Sequence, residues 1–155
     1  QITEDQLNDI LEAANAAPAC MGQYDHLHLT VVQKPEILAQ INAAFQKAVN
    51  DPNMQVTYGA PTVIYVSCKN EDEEIIKGCN AGVVMENMLL EAADLGLGAV
   101  YLFGVSQVLF ANEEITKLLQ VPEGFRTVSA IAVGTSADVL QERILGTDKI
   151  SMTTL

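Results

Sequence analysis

Few side chains in this sequence could act as acids, bases or nucleophiles. The two histidines, His26 and His28, stand two residues apart. On a strand that spacing turns both rings to one face, where they could hold a metal ion. No carboxylate or Cys partner set is evident near them, so no metal site is expected. Cys20, Cys68 and Cys79 form an odd set without C-x-x-C spacing. Such a set fits neither a disulfide framework nor a zinc site, and reads as three reduced thiols that pack as small hydrophobes. No local signature supports a Cys–His nucleophile pair. No serine sits in a G-x-S-x-G elbow, and no G-x-x-x-x-G-K-[ST] loop is present. What remains is either a binding protein or an enzyme whose cofactor carries the chemistry.

Charge narrows the partners. Twenty Asp and Glu stand against eight Lys and Arg, a formal net charge of −12, and the arginines are Arg126 and Arg143. Nucleic acids and anionic membrane surfaces need clustered cations to displace counterions, and there is no basic stripe. Apolar residues make up 49% of the chain, with a mean hydropathy of +0.20. No run approaches the ~18 apolar residues of a membrane span. The apolar surplus therefore points to a subunit interface, a cofactor pocket, or both. The sequence opens at Gln1 without a Met, a basic segment or an apolar signal core, so its natural start is expected upstream. Reduced thiols and the lack of a visible signal peptide suit a cytoplasmic setting.

The elements that must position any site follow from periodicity. Thr3 and Gln6 form a capping box, and Leu7, Ile10, Leu11 and Ala14 then recur at helical spacing until Pro18. A loop with Gly22 leads to an alternating strand pattern over residues 26–32. Lys34-Pro35 begins a second helix with Ile37, Leu38, Ile41, Phe45 and Val49 on its stripe, ended by Asp51-Pro52. The run TVIYVSC (62–68) reads as a strand buried on both faces. A long helix over about 75–95 is apolar or small on most faces, so it is either buried or shared between subunits. Gly96-Leu97-Gly98 stops it. A dinucleotide fingerprint would run strand, glycines, helix; here the order is helix, glycines, strand, and Tyr101 stands where the third glycine would be. Further strands are expected over 99–103 and 127–133, with a short helix capped by Asn112 between them. The last twenty residues show weak periodicity and are expected to wander over a surface. With no repeat or linker, residues 1–155 read as one α+β domain, a mixed sheet flanked by helices.

Four blocks in order resemble the nitroreductase family of FMN-dependent oxidoreductases. They are ILEAANAAPACMGQYDHLHLTVV (10–32), GAPTVIYVSC (59–68), NAGVVMENMLLEAADLGLGAVYLFG (80–104) and VPEGFRTVSAIAVG (121–134). The third block, a long apolar helix ending in LGLG before a strand, is the most specific. The resemblance implies a three-layer, mainly antiparallel fold and an entwined homodimer with FMN at the subunit interface. It also implies ping-pong transfer of hydride from NAD(P)H through flavin N5 to a nitroaromatic, quinone or similar acceptor. No side-chain acid or base is then demanded, in keeping with the sparse chemistry above.

The same resemblance assigns site residues. Tyr101, Leu102, Phe103 and Gly104 lie against the flavin, with the backbone N–H groups of Phe103 and Gly104 near N5. Ala19, Cys20, Met21 and Gly22 come from the opposite subunit; they replace the family's polar Ser/Asn pattern, so backbone contacts would serve. Gln23 and Tyr24 wall the substrate side, where the family often shows Gln-Pro-Trp. Arg143 in the tail, with Lys149 as the weaker choice, would hold the phosphate alongside an Arg-containing segment expected ahead of Gln1. The altered 19–25 loop and the missing Arg segment leave open a non-catalytic flavin- or ligand-binding relative, and the apolar surface leaves open a plain dimeric interaction protein.

Overall fold

The computed structural model describes residues 1–104, 112–138, 142 and 144–155. Its elements run α1 (Glu4–Asn15), β1 (Leu27–Val32), α2 (Pro35–Val49), β2 (Thr62–Lys69), α3 (Glu74–Asp94), β3 (Gly98–Tyr101), α4 (Glu113–Leu118) and β4 (Phe125–Gly134). The sheet order is β1-β2-β4-β3, and all three pairings are antiparallel.

Each boundary has a local cause. At the start of α1, the Thr3 side chain accepts from Gln6 N–H while the Gln6 side chain accepts from Thr3 N–H, completing the capping box. Pro35 opens α2, where its missing N–H costs nothing, and Asn50 closes it in the left-handed conformation. At the end of α3, Gly96 adopts φ +68, letting Leu97 N–H reach back to Ala92 O at 2.8 Å. That bond and the one from Gly96 N–H to Ala93 O satisfy carbonyls that the helix end would otherwise leave bare.

Alternation along the central strands divides the core. Ile64, Val66, Cys68, Ile131 and Val133 face α1 and α3. Val63, Tyr65, Ala130 and Ala132 face the other way, against Ile41 and Phe45 of α2 and Ile115 and Leu119 around α4. A sheet with helices on both faces is a three-layer α+β architecture. Between Ser129 and Thr127 of β4, Val128 is an extra residue opposite the Val66–Ser67 step, a bulge that leaves Cys68 still facing α3.

Three expectations shift. The first strand begins at Leu27, because residues 24–26 form a 3-10 turn that carries His26 out of the ladder. The third strand runs 98–101: Leu102 N–H still donates to Ala130 O at 2.8 Å, but Phe103 and Gly104 have helical backbone, which cannot extend the ladder. The described part of the tail packs less than expected, since Ile144, Leu145, Ile150, Met152 and Leu155 all stand exposed. Among the described residues no helix is long and apolar enough to cross a membrane.

Gly134 closes β4 opposite Gly98, and a Cβ placed on it would lie 2.8 Å from Pro61 Cδ, part of a stiff ring. Gly134→Ala is therefore expected to lower unfolding free energy by about 1–3 kcal/mol in urea titrations, the usual range for overpacking.

Candidate functional site

The loop over residues 19–24 is a pair of tight turns. Ala19 is buried and half of the loop faces outward; Met21 is 89% exposed. Met21 and Gly22 both take left-handed backbone, φ 54 and 68. This conformation suits the glycine and strains the methionine. Gly22 N–H returns to Ala19 O and Gln23 N–H to Cys20 O. Three longer-range bonds hold the segment: Cys20 N–H to Asn80 Oδ1 at 2.8 Å, Tyr24 Oη to Ala17 O at 3.0 Å, and Asn87 Nδ2 to Ala13 O at 3.0 Å. Asn80 and Asn87 lie seven residues apart on one face of α3. The end of α1 and the loop after it are therefore fastened to α3.

The second group of predicted residues sits at the β3 edge. Tyr101 and Phe103 are roughly half exposed, with ring centroids 6.0 Å apart and planes tilted by 31°. Leu102 points the other way into the core, and its N–H is spent on Ala130, so it presents no side chain or amide at this edge. Around Gly104 a Cβ would meet no described atom within 4 Å. Two exposed rings and an open glycine backbone make a surface that a flat aromatic ligand can cover.

The chain does not bring its two groups together. Tyr24 lines a hollow of about 210 Å³ with Leu27 and Leu29 of β1 and Val84 of α3. β1 and β3 are opposite edges of the four-stranded sheet, so three inter-strand steps, roughly 14 Å, lie between them. A cleft of about 380 Å³ lies elsewhere, between α2 and residues 55–61, and contains none of the predicted site residues. Arg143 lies outside the described residues.

Charged groups gather at the N-terminal end of α3. The Lys77 ammonium is almost fully buried and donates to Asn70 O and Glu74 Oε1, each at 3.0 Å. Glu74 also pairs with Arg126, and the hydrogen bond from Lys77 holds its carboxyl below the usual range. His26 Nδ1 meets Asp72 Oδ1 at 2.7 Å, while the His28 ring packs edge-on against Phe125. The two imidazoles thus serve different neighbours rather than one shared ligand. Cys68 is buried, with its thiol 3.7 Å from Lys77 O, and burial pushes its pKa up to about 11.

Asn80, Asn87 and the His26–Asp72 pair were not singled out from the sequence. A signal existed for the asparagines: polar amides along the inward stripe of an apolar helix need partners, and here the partners are the backbone of α1 and its loop.

Known proteins match this arrangement. Residues 1–135 fit the profile of the Nitroreductase family. A protein of Methanothermobacter thermautotrophicus named "Putative NADH dehydrogenase/NAD(P)H nitroreductase" is 30% identical over 142 residues, 89% of this chain and 69% of that protein. A like-named protein of Archaeoglobus fulgidus is 30% identical over 138 residues, 89% of this chain and 76% of its own length. Among solved structures, a nitroreductase with bound FMN from Bacteroides fragilis superposes with a TM-score of 0.83 at 26% identity, covering 99% of this chain and 89% of that one. A nitroreductase with bound FMN from Desulfitobacterium hafniense gives 0.84 at 21% identity over 99% and 89%, a likeness of fold.

The thiols supply a check on this geometry. Cys68 titrates near 11 when folded against an ordinary 9.0. The unfolded chain therefore loses this proton first as pH rises. The benefit of the neutral buried thiol is intact below about pH 9 and lost as pH climbs through about 11. Urea unfolding between pH 8.5 and 11 is expected to show a steeper alkaline decline for the parent than for Cys68→Ala, with alkylation at pH 8.5 sparing Cys68 in the folded protein.

Proposed function

Since this chain belongs to the nitroreductase family, we propose that it is an FMN-dependent oxidoreductase that works as a homodimer. The observation that carries the reading is the division of the site between two sheet edges. A second copy that lays its 19–24 loop against the Tyr101–Phe103 edge would complete a pocket that one chain leaves in halves. Several unpartnered apolar features support a second copy. On the outer face of α3, Ile75 and Leu90 are exposed, with Gly78, Cys79 and Gly82 between them. The tail adds Ile144, Leu145, Ile150, Met152 and Leu155. Exposed apolar side chains in this number are the kind of surface that association covers. Residues 1–155 would form one domain of that dimer.

The half-site at β3 suits FMN on physical grounds. Tyr101 and Phe103 offer exposed ring faces, and Gly104 lets the main chain approach a planar group closely. The loop residues Ala19, Cys20, Met21 and Gly22 would contribute backbone from the neighbouring copy, with Gln23 and Tyr24 walling the substrate side. Ala19 is too buried to offer more than backbone. Tyr24 is already oriented by its bond to Ala17 O. Arg143 is the tail residue proposed for the phosphate. When bound, FMN supplies the two-electron chemistry, taking hydride from NAD(P)H and passing it in a second half-reaction to a nitroaromatic, quinone or similar acceptor. The protein's part is to present amides to the ring, exclude water with the two aromatic side chains, and leave one face open for successive partners. No side-chain acid or base is required.

Purified protein is expected to be yellow, to sediment as a dimer, and to bleach under NADH or NADPH without oxygen. A preparation that stays colourless after FMN is added would refute the reading, while one that binds flavin but never bleaches would make it a non-catalytic relative. Gly104→Val is expected to melt close to the parent, because a Cβ there meets no described atom within 4 Å. It should nonetheless bind FMN at least about tenfold more weakly in a fluorescence titration, from the lost close approach.

A further inference from the structure

We propose that Asn80 is a positioning residue for the flavin site, acting through the main chain of the 19–22 loop. The inference rests on the reading above, in which that loop contacts FMN. Asn80 is 3% exposed, in the second turn of α3, on the stripe that otherwise buries Lys77, Ala81, Val84 and Met85. An uncharged amide at such a place is costly unless it bonds. Its oxygen lies 2.8 Å from Cys20 N, across 60 residues of sequence. A backbone N–H can only donate, so the amide's orientation is fixed with Oδ1 toward the loop.

The bond falls where the loop most needs an external hold. Cys20 is followed by two residues in left-handed backbone, one of them the strained Met21. The loop's own polar bonds are short turn contacts, Gly22 N–H to Ala19 O and Gln23 N–H to Cys20 O. Asn80 ties the first residue of this turn to the longest and best-buried helix of the domain. Met21 projects outward immediately beyond the tie. Without it, Cys20 N–H would seek water and the 20–22 turn could relax toward unstrained backbone, moving the amides that the partner's flavin is to meet.

Asn80→Ala, Asn80→Asp and the parent, each as the full chain, are stripped of flavin and titrated with FMN by fluorescence quenching, with thermal melts in parallel. Asn80→Ala is expected to weaken FMN binding by about tenfold or more. Asn80→Asp, which keeps an oxygen in place to accept from Cys20 N–H, should stay within about threefold of the parent. An Ala variant that binds FMN as tightly as the parent overturns the proposal. So does an Asp variant as weak as the Ala variant with a parent-like melt. A parent that takes up no FMN at all removes both the cofactor reading and this role, whereas a parent that binds beside an unaffected Ala variant removes only the role. Should Asn80→Ala fail to fold, Cys20→Pro deletes the same bond from the loop side, at a position whose preceding residue is already extended (Ala19, ψ 142); it is read in the same way.

Discussion

Seven successive side chains of β2, Thr62 to Cys68, are shielded from water. A strand in that condition must be covered on both faces, so helices have to pack above and below it. β4 lies beside it under the same demand, its last six residues all buried. Most of the fold follows from this pair. β1 and β3 are left as flanks, and α1 with α3 on one face and α2 with α4 on the other are the lids that the central strands require. The chemistry is pushed to the margins. A residue at the centre of such a sheet has no access to a ligand, whereas the edges and the loops beyond them do.

Within this frame α3 serves two surfaces. One stripe, from Lys77 through Met88 to Ala92, fills the space over the sheet. The opposite stripe carries Ile75, Gly78, Cys79 and Leu90 outward, with Gly82 half-buried and Glu86 exposed among them. Asn80 and Asn87, on the inward side, grip the loop after α1 and the end of α1 itself. The helix is thus a spine from which the connection after α1 is held in a fixed shape, and a face on which a neighbour can lie.

Much of this was legible in the amino acids. Hydropathic period gave the helices and the doubly buried strand; the Thr3–Gln6 box and Gly96 marked their ends for reasons of backbone hydrogen bonding that hold in any chain. What periodicity could not carry was tertiary. The pattern of residues 26–32 does not reveal that His26 sits in a 3-10 turn with its ring on Asp72, 46 residues away. Nor does it reveal that Leu102 turns into the core while its neighbours Tyr101 and Phe103 turn out, since an edge strand tolerates either. The glycine and the two aromatics at 101–104 were recognisable only by likeness to a family. Spacing alone does not distinguish a ligand platform from an ordinary strand end.

The distance between the two edges has a genetic consequence. If each pocket takes its loop from one copy and its aromatic platform from the other, a lesion in the 19–24 loop disables the neighbour's pocket and spares the one its own platform builds. In a mixed pair, a chain damaged in the loop and a chain damaged at Gly104 would between them assemble one sound pocket and one doubly broken one. Inheritance of such defects would therefore follow the pairing of subunits, and each allele's harm would depend on its companion.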